Sequence, residues 1–474
     1  MISMTQRVLA LNLLFASAIA SGCGDADANL DRDLDTVAAE HGLNGWLLVR
    51  VDETSVLDRP LAGLSDSLPR PGISTPLHIA SLSKLLTEVA VLRLVDDGRL
   101  DLDRTLASYR PGFQPGFGDS VSVAQLMDMR SGLPRELDPD GLFKASLLDT
   151  AGFAGPYLDA IPTLPRATAE ADVNGYSNVD FWLLGAVIEA VADAPLQDAL
   201  RTLVLDPLDL QTTGYRDGAP HAMPGYDLSA DGFVEVREDL SLRYASGGYV
   251  ASVEDLHRLG EALLSPGFLE EESWRRLFGE GAVPERLEIF GALPGHAHML
   301  MIDPTERLVA TAVNNVTPRD LNGMIRLRDR VLTHVGIDAT ETSRARRTVT
   351  VHPLDELSVD APLERCLKDW VPKLESGDAA AIHAGIAECG PTGAFEAGDP
   401  TWQEYVRIRS EAESFAVAGW RRVEEGAPRG IEVWIDFGDD GKLALLLIPS
   451  EADPTLVENL MVQPDDLTWM GHGY

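Results

Sequence analysis

Ser81 and Lys84 are the two residues whose types and spacing most directly predict chemistry. They stand three positions apart, so a helix that begins after Ala80 places both side chains on one face. A serine hydroxyl is a poor nucleophile until a neighbour takes its proton, and a partly desolvated lysine amine is one of the few side chains that does so. Ser81 is therefore a candidate nucleophile and Lys84 its candidate base. The alternative is an ordinary helix start with a solvated lysine.

Apolar patterning predicts the elements that hold this pair in place. The helix that carries Ser81 has an apolar stripe and extends to about Asp96, and Gly98 ends it. An irregular stretch from 135 to about 172 has the length of a loop that shapes a pocket. The other predicted elements are strands at Leu43–Val51, Leu61–Leu64, His298–Asp303 and Leu308–Asn314, and helices at Val121–Met129, Asn178–Ala192, Val253–Leu264 and Asp329–Val335.

Several short segments resemble, in the same order, those of the serine β-lactamase and penicillin-recognising enzyme family, including its class C-like esterases. The resemblance runs from about Gly42 to Asn315, and order over such a length is more specific than any one motif. It implies an α+β fold of the β-lactamase/transpeptidase kind, with an antiparallel sheet flanked by helices and a helical subdomain. The segments are Ser81-Leu82-Ser83-Lys84, Ser131-Gly132-Leu133-Pro134, Tyr176-Ser177-Asn178, Pro207-Leu208-Asp209-Leu210 and Ser246-Gly247-Gly248.

Tyr176 and Asn178 form the Tyr-x-Asn motif of this resemblance. In the family the tyrosine lies near the serine and the lysine, which implies that Tyr176 relays a proton, because an adjacent ammonium stabilises a phenolate. Asn178 then orients the lysine or a substrate amide. The alternatives are a tyrosine buried in the core and an asparagine that caps the helix beginning at this point.

The third family motif is a strand that begins Lys-Thr-Gly or His-x-Gly, and Ile289-Phe290-Gly291 stands in its place. The resemblance implies an oxyanion hole made by the backbone N–H groups of Ser81 and Ala292, with Gly291 beside them. Backbone donors do not depend on the side chain at position 289. Isoleucine cannot pair with a substrate carboxylate as lysine or histidine does. We therefore predict a preference for neutral esters or amides over β-lactams.

The leading hypothesis is a serine hydrolase in which Ser81 forms an acyl-enzyme. Its substrate is a small-molecule ester or amide or a peptide derived from the cell wall, and no cofactor is expected. Because the third motif lacks its charge, one alternative is a catalytically silent binding protein that keeps the cleft. Another alternative places the function in the C-terminal region, as a ligand pocket or dimerisation module. The chain has no Gly-x-Ser-x-Gly segment, which argues against an α/β-hydrolase.

Composition argues against nucleic acid as a partner. The chain has 39 Lys and Arg against 75 Asp and Glu, for a formal net charge of −36, and such a surface repels nucleic acid and anionic lipid headgroups. We interpret the acidity as a solvated surface without a particular partner. A length of 474 residues exceeds one ordinary core and favours two domains.

The first residues resemble an export signal. Arg7 is the only charge, and the apolar run from Val8 to Ala20 is too short to span a bilayer. The run ends in small residues before Cys23, as in a bacterial lipoprotein box. We predict a signal peptide over 1–23, a lipid on Cys23 and a flexible tether over 24–34. The protein would face the periplasm or the cell exterior, attached to the membrane by its lipid alone, and ordinary secretion is the alternative.

A change of pattern near residue 344 divides the rest of the chain. We predict a β-lactamase-like serine hydrolase domain over 35–343 and a small α+β accessory domain over 344–474. The second domain resembles the cystatin-like accessory domains of extracytoplasmic serine hydrolases, with helices followed by a curved antiparallel sheet. Its predicted helices are Pro362–Leu374, Asp378–Glu388 and Trp402–Glu411, and its predicted strands are Phe415–Val423, Gly430–Phe437, Lys442–Ile448 and Val457–Val462.

Cys366 and Cys389 are the two cysteines that follow Cys23, and an exported chain can oxidise such a pair to a disulfide. Two buried thiols are the alternative. His296 and His298 are two positions apart on a predicted strand and therefore on one face. Because no carboxylate or third histidine follows at ligand spacing, we predict solvent-exposed or cleft-wall histidines and no metal site.

Overall fold

The architecture comes from a computed structural model of the chain. It describes residues 23–52, 54–61, 68–110, 117–132, 177–215, 221–229, 232–236, 240–279, 281–317, 322–337, 416–423, 430–436, 442–449 and 457–464. The strands are β1 (Gly45–Val51), β2 (Thr54–Pro60), β3 (Leu77–His78), β4 (Gly214–Tyr215), β5 (Tyr226–Ser229), β6 (Gly232–Glu235), β7 (Tyr249–Ala251), β8 (Leu287–Leu293), β9 (His296–Asp303), β10 (Leu308–Asn314), β11 (Ala416–Val423), β12 (Gly430–Asp436), β13 (Lys442–Pro449) and β14 (Val457–Pro464). The α-helices are α1 (Cys23–His41), α2 (Ser83–Asp96), α3 (Leu106–Tyr109), α4 (Val123–Met127), α5 (Asn178–Ala192), α6 (Leu196–Leu200), α7 (Val253–Ala262), α8 (Glu271–Phe278) and α9 (Asn322–Val335).

Five antiparallel strands in the order β2-β1-β10-β9-β8 form the main sheet. Every residue of β9 and β10 is buried, so both faces of the centre of the sheet are covered. Helix α7 packs closely on this sheet, since a Cβ built on Gly260 would lie 2.7 Å from Val309 Cγ1. Strands β9 and β10 form the predicted hairpin. Strand β8 lies at one edge of the sheet.

The helices predicted between residues 81 and 335 are confirmed, with shifts at their ends. Helix α5 has the predicted bounds, whereas the helix expected over Val121–Met129 begins two residues later as α4. Ser122 and Gln125 form a reciprocal capping box there, and this fixes the first residue of α4. The helix expected at Asp329–Val335 begins seven residues earlier, as α9.

The second strand begins earlier than predicted. Strand β2 pairs with β1 through a tight hairpin at Asp52, whose φ is +51°. Because this turn is short, pairing resumes almost at once and the strand ends before Leu61. The strand predicted at Leu61–Leu64 is therefore wrong for Leu61, and residues 62–64 lie outside the described part of the chain.

Helix α1 occupies the segment that was expected to be a flexible tether. Leu34, Val37 and Ala38 lie on one face of it and are buried, which is the stripe of a helix that packs on a core. The tether was expected over 24–34, so Leu34 is the member of this stripe that lies within it. Helix α9 packs on the end of α1, because a Cβ on Gly323 would lie 2.5 Å from a side-chain carbon there.

The chain divides into two compact units, one of Met1–Asp101 with Gly185–Ser343 and one of Leu102–Leu184 with Arg344–Tyr474. The first contains the main sheet and the small sheet β3-β7-β4, and the second contains the antiparallel sheet β11-β12-β13-β14. These last four strands agree with the predicted ones. The three helices expected between 362 and 411 lie outside the described residues, so the cystatin-like fold and the domain bounds stay predictions. No helix in the described ranges is long and apolar enough to cross a membrane.

Candidate active site

Ser81 lies on a turn that connects the short strand β3 to helix α2. Residues Ala80–Leu82 form a 3-10 turn, and the α-helix begins at Ser83. Ala80 has a φ of +50°, a conformation that costs a non-glycine residue on the order of 1 kcal/mol. The turn leaves Ser81 half-buried while Leu82, Ser83 and Lys84 are buried. The backbone is therefore strained at the residue immediately before the one that presents the hydroxyl.

Lys84 meets Ser81 as the spacing predicts. Its Nζ lies 3.4 Å from Ser81 Oγ and donates a hydrogen bond of 2.8 Å to the carbonyl oxygen of Ser246. Lys84 is fully buried, so its interpretation as a solvated lysine is wrong. Desolvation disfavours the charged form of an amine, which is the condition that lets a lysine accept a proton.

Thr87, one helical turn after Lys84, anchors the segment that supplies this carbonyl. Thr87 Oγ1 donates a hydrogen bond of 2.8 Å to the carbonyl oxygen of Ala245 and lies 3.1 Å from Tyr249 Oη. Both contacts are buried. Ser246 stands between these two anchored residues, so its carbonyl is held at the lysine amine. The sequence marked this segment only as a glycine pair before a helix.

Two buried tyrosines in the same unit keep their protons. Burial raises the pKa of Tyr244 and of Tyr249 well above the usual range, and the carboxylate of Glu189 raises the pKa of Tyr244 further. Neither phenol is therefore suited to relay a proton near neutral pH. Tyr176, to which the sequence assigned this role, lies outside the described residues.

Strand β8 approaches the nucleophile at Gly291. A Cβ built on Gly291 would lie 2.9 Å from the carbonyl oxygen of Ile79 and 3.0 Å from the Ser81 backbone nitrogen. A residue with a side chain does not fit here without a shift of backbone, so glycine is what allows the close approach. The next residue, Ala292, is exposed. The structure thus brings Gly291 beside Ser81, and the oxyanion role of Ala292 stays a prediction.

The residue in place of the family lysine or histidine is buried and apolar. Ile289 is 0% exposed and Phe290 is 7% exposed. Glu288 is the charged residue of this strand, and it accepts hydrogen bonds of 2.7 Å from Arg286 and 3.0 Å from Arg328. Strand β8 therefore carries no cation for a substrate carboxylate.

His296 and His298 are buried, so of the two predicted positions the solvent-exposed one is wrong and the cleft wall stays a prediction. Burial lowers the pKa of His298 to about 4 and the pKa of His296 well below its usual range, and both rings are neutral at pH 7. His298 Nε2 donates a hydrogen bond of 2.7 Å to the carbonyl oxygen of His78. Its Nδ1 accepts one of 3.5 Å from the N–H of Asn314. Within the ranges that the structure describes, no group of three or more His, Cys, Asp or Glu side chains is arranged to hold a metal.

The Tyr-x-Asn motif leads into helix α5, and Ser177 caps this helix. Ser177 Oγ accepts a hydrogen bond of 3.1 Å from the N–H of Asp180, so the alternative in which Asn178 is the cap is wrong. The buried Asp180 carboxylate also accepts hydrogen bonds from the hydroxyls of Ser131 and Ser177. It thereby ties the Ser-Gly-Leu-Pro turn to the motif. Ser-x-x-Asp at the helix start was the sequence signal for the Ser177 cap, whereas the link to Ser131 joins residues 49 positions apart.

Other predicted residues fall outside what the structure describes. Cys366 and Cys389 lie in the range 338–415, and their disulfide stays a prediction. Helix α1 begins at Cys23, whose side chain is not among those described. The role of Asn178 toward the lysine or the substrate also stays a prediction.

An antiparallel five-stranded sheet whose edge meets a Ser-x-x-Lys helix defines the β-lactamase/transpeptidase class of serine hydrolases. The family model named Beta-lactamase matches residues 31–333, which is more than half of the chain, and the chain belongs to this family.

Relatives within this class act on different bonds. The chain is 28% identical to the esterase EstB of Burkholderia gladioli over 52% of its own length and 72% of that protein. It is 26% identical to protein flp of Staphylococcus aureus over 41% of its own length and 39% of that protein. Two solved structures share the fold, each with 99% of its chain covered. They are the D-amino acid amidase of Ochrobactrum anthropi (TM-score 0.56, 20% identity, 66% of this chain) and a class C β-lactamase of Rhodobacter sphaeroides (TM-score 0.53, 17% identity, 65% of this chain).

Proposed function

We propose that this protein hydrolyses small neutral esters or amides through an acyl-enzyme on Ser81. The observation that carries the proposal is the buried amine of Lys84, 3.4 Å from Ser81 Oγ and held there by the Ser246 carbonyl. The similarity to an esterase supports an ester as the first substrate class to test.

The reaction begins when Ser81 Oγ attacks the substrate carbonyl carbon and its proton passes to Lys84 Nζ. Charge develops on the carbonyl oxygen, and the backbone N–H groups of Ser81 and Ala292 stabilise it. The tetrahedral intermediate collapses as the bond to the alcohol or amine breaks, and the leaving group takes a proton relayed by Tyr176. Water then attacks the acyl carbon and gives a proton to the base, and Ser81 leaves with its own proton restored.

The preference for a neutral substrate follows from Ile289. This residue is buried and uncharged where a lysine or histidine would pair with a substrate carboxylate. A carboxylate brought to this strand would lose its hydration without gaining a cation, which raises the free energy of the complex.

Labelling with a fluorophosphonate probe tests the nucleophile. The wild type should label and should hydrolyse a p-nitrophenyl ester, and Ser81→Ala should do neither. Ser83→Ala is the matched control, because this serine lies two positions away, at the start of helix α2, and its hydroxyl accepts a hydrogen bond from the Tyr249 N–H. If the wild type neither labels nor turns over the ester, the proposed function is wrong.

A matched pair of substrates tests the neutral preference. The p-nitrophenyl esters of butyrate and of succinate have acyl chains of equal length, and only the succinate monoester carries a carboxylate. We expect kcat/KM to be at least about tenfold higher for the butyrate ester. Equal turnover of the two esters, or fast acylation by a penicillin, would contradict the preference.

A catalytically silent binding protein is the second candidate, and the buried Ile289 favours it, because the third motif has lost its charge. Labelling separates the two functions, since a silent protein has no activated hydroxyl. In that case Ser81→Ala should leave ligand binding unchanged.

We also propose that the protein is exported and anchored by a lipid on Cys23, with a disulfide between Cys366 and Cys389. The apolar run before Cys23 and the single cysteine pair after it support this. Mass analysis of the protein from its native membranes, with and without reduction, should show a diacylglyceryl mass on a chain that begins at Cys23 and a gain of two hydrogens on reduction. A full-length, unmodified chain would contradict export.

A further inference from the structure

We propose that His298 is a positioning residue that holds the strand before Ser81 against the strand that carries Gly291. The inference rests on the proposed hydrolase function and adds a residue to it. It joins two observations, the hydrogen bond from His298 to the backbone of His78 and the register of β8 against β9.

His298 and Gly291 are directly opposite each other in the antiparallel pair β8–β9. Gly291 lies against the Ile79 carbonyl and the Ser81 backbone nitrogen, and His298 bonds the carbonyl of His78. One cross-strand pair therefore contacts three consecutive peptide units that lead into the nucleophile. Gly291 leaves space for the backbone before Ser81 to approach the sheet, and His298 supplies the hydrogen bond that fixes the distance of this approach.

The direction in which the His78 carbonyl points places it within reach of His298. The N–H of Ile79 donates to the carbonyl of Tyr249 in β7, on the other side of β3. The C=O of His78 and the N–H of Ile79 belong to one trans peptide unit and point in opposite directions, so the His78 carbonyl points away from β7, and it meets His298 of β9. Loss of this donor would remove a hydrogen bond from the half-buried backbone of His78.

The bond lies next to the strained residue of the turn. Ala80, with its φ of +50°, follows His78 by two positions and precedes Ser81. Strain of this kind persists only where the surroundings hold the backbone on both sides. Helix α2 holds the turn from the C-terminal side. His298 and strand β7 hold it from the N-terminal side.

The ring of His298 is used at both nitrogens, which defines its tautomer. Nε2 must carry the proton, because its partner is a carbonyl oxygen, and Nδ1 must accept, because its partner is the N–H of Asn314. The low pKa of His298 keeps this neutral form in place through neutral pH. The ring acts on the backbone of β3, which leads into the turn, and takes no part in proton transfer.

Two amide substitutions separate the hydrogen bond from the packing. The Nε2 of glutamine reaches the position of histidine Nε2, whereas the amide of asparagine reaches only the position of Nδ1. We expect His298→Asn to lower kcat for the p-nitrophenyl ester and the rate of fluorophosphonate labelling by about tenfold, with KM changed less than about twofold. His298→Gln should stay within about threefold of the wild type.

His257 is the matched control. It is also a buried histidine, but its Nδ1 lies 3.3 Å from Thr311 Oγ1 and it contacts neither β3 nor the turn in any bond that the structure gives. All variants are compared at a temperature where circular dichroism shows them folded. His257→Asn and His257→Gln should label at equal rates. Equal rates for His298→Asn and the wild type, or an equal slowing by His257→Asn, would overturn the role.

A measurement on the wild type keeps the test valid if His298→Asn does not fold. The ¹⁵N shifts of the labelled ring should show Nε2 protonated, and the opposite tautomer would overturn the role. If the wild type reacts with the fluorophosphonate probe and His298→Asn reacts at the same rate, the positioning role alone is rejected. If the wild type does not react with the fluorophosphonate probe, the hydrolase function and the positioning role are rejected together.

Discussion

Gly291 is the residue at which the sheet comes closest to the nucleophile. Its α-carbon lies so near the backbone of Ile79 and Ser81 that a methyl group meets two backbone atoms at 2.9 and 3.0 Å. Backbone atoms cannot turn away as a flexible side chain can. Any side chain at this position therefore moves strand β8 relative to the serine.

We predict that Gly291→Ala lowers kcat/KM for a neutral ester by about tenfold to a hundredfold, since small displacements of a reacting geometry have effects of this size. Ester hydrolysis and thermal unfolding are measured together. Gly72→Ala is the control, because the nearest atom to its Cβ would be Thr75 Oγ1 at 3.6 Å, an ordinary contact. Unchanged turnover in Gly291→Ala would show that the approach of β8 does not matter for catalysis.

Two polar residues of helix α2 bond to adjacent carbonyls of one partner segment, Ala245 and Ser246. Thr87 binds the carbonyl of Ala245, and Lys84 binds the carbonyl of Ser246. These contacts lie on one face, one helical turn apart. The helix therefore carries the amine and also anchors the segment that holds the amine.

Thr87→Val keeps the shape of the side chain and removes its hydroxyl. We expect a loss of about 1–3 kcal/mol in the free energy of unfolding, because the buried Ala245 carbonyl loses its donor. Urea denaturation measures this loss. Thr202→Val should change stability little, since the Thr202 hydroxyl bonds the Asp198 carbonyl in an exposed position. Equal losses in the two variants would contradict the anchoring role.

A buried charge cluster joins strand β8 to helix α9. Glu288 bonds both Arg286 and Arg328, and all three residues are buried. We predict that Arg328→Leu costs about 3 kcal/mol of unfolding free energy, because it removes one of the two cations that compensate a buried carboxylate. The exposed pair of Arg275 and Glu271 is the control, and Arg275→Leu should cost less than about 1 kcal/mol. A similar small cost for both would mean that the cluster is well solvated.

At the scale of the whole molecule, buried neutral histidines should make the folded state sensitive to acid. Burial lowers the pKa of His257 to about 3 and of His298 to about 4, and it lowers the pKa of His296 as well. The unfolded chain binds protons at a pKa near 6.5, so it holds more protons than the folded chain between about pH 6.5 and 4. Stability therefore falls as the pH falls through this window.

We expect His298 alone to contribute a loss on the order of 3 kcal/mol across this window. Urea denaturation at pH 7 and at pH 4.5 measures the combined effect. His257→Gln and His298→Gln should each flatten the dependence, because glutamine does not titrate. The charged neighbours of His257 are Arg50 and Glu261. A stability that is the same at both pH values would contradict the prediction.

The sequence by itself determined the parts that depend on near neighbours. Three-residue spacing placed Ser81 with Lys84, alternation placed the β9–β10 hairpin, and apolar periodicity placed helix α5. Periodicity and spacing depend only on residues that are close together in the sequence, so the sequence is enough to predict these elements. The order of the short motifs along the chain predicted the fold.

Only the tertiary structure decided what surrounds the pair. The Lys84 amine bonds a carbonyl 162 positions away, and His298 bonds a carbonyl 220 positions away. The sequence shows the residue types but not which backbone group will lie opposite them, so it left Lys84 open as solvated and assigned His298 to solvent or the cleft wall. Burial excludes solvent exposure for both side chains. A buried polar group must find a partner, and the fold alone brings that partner near.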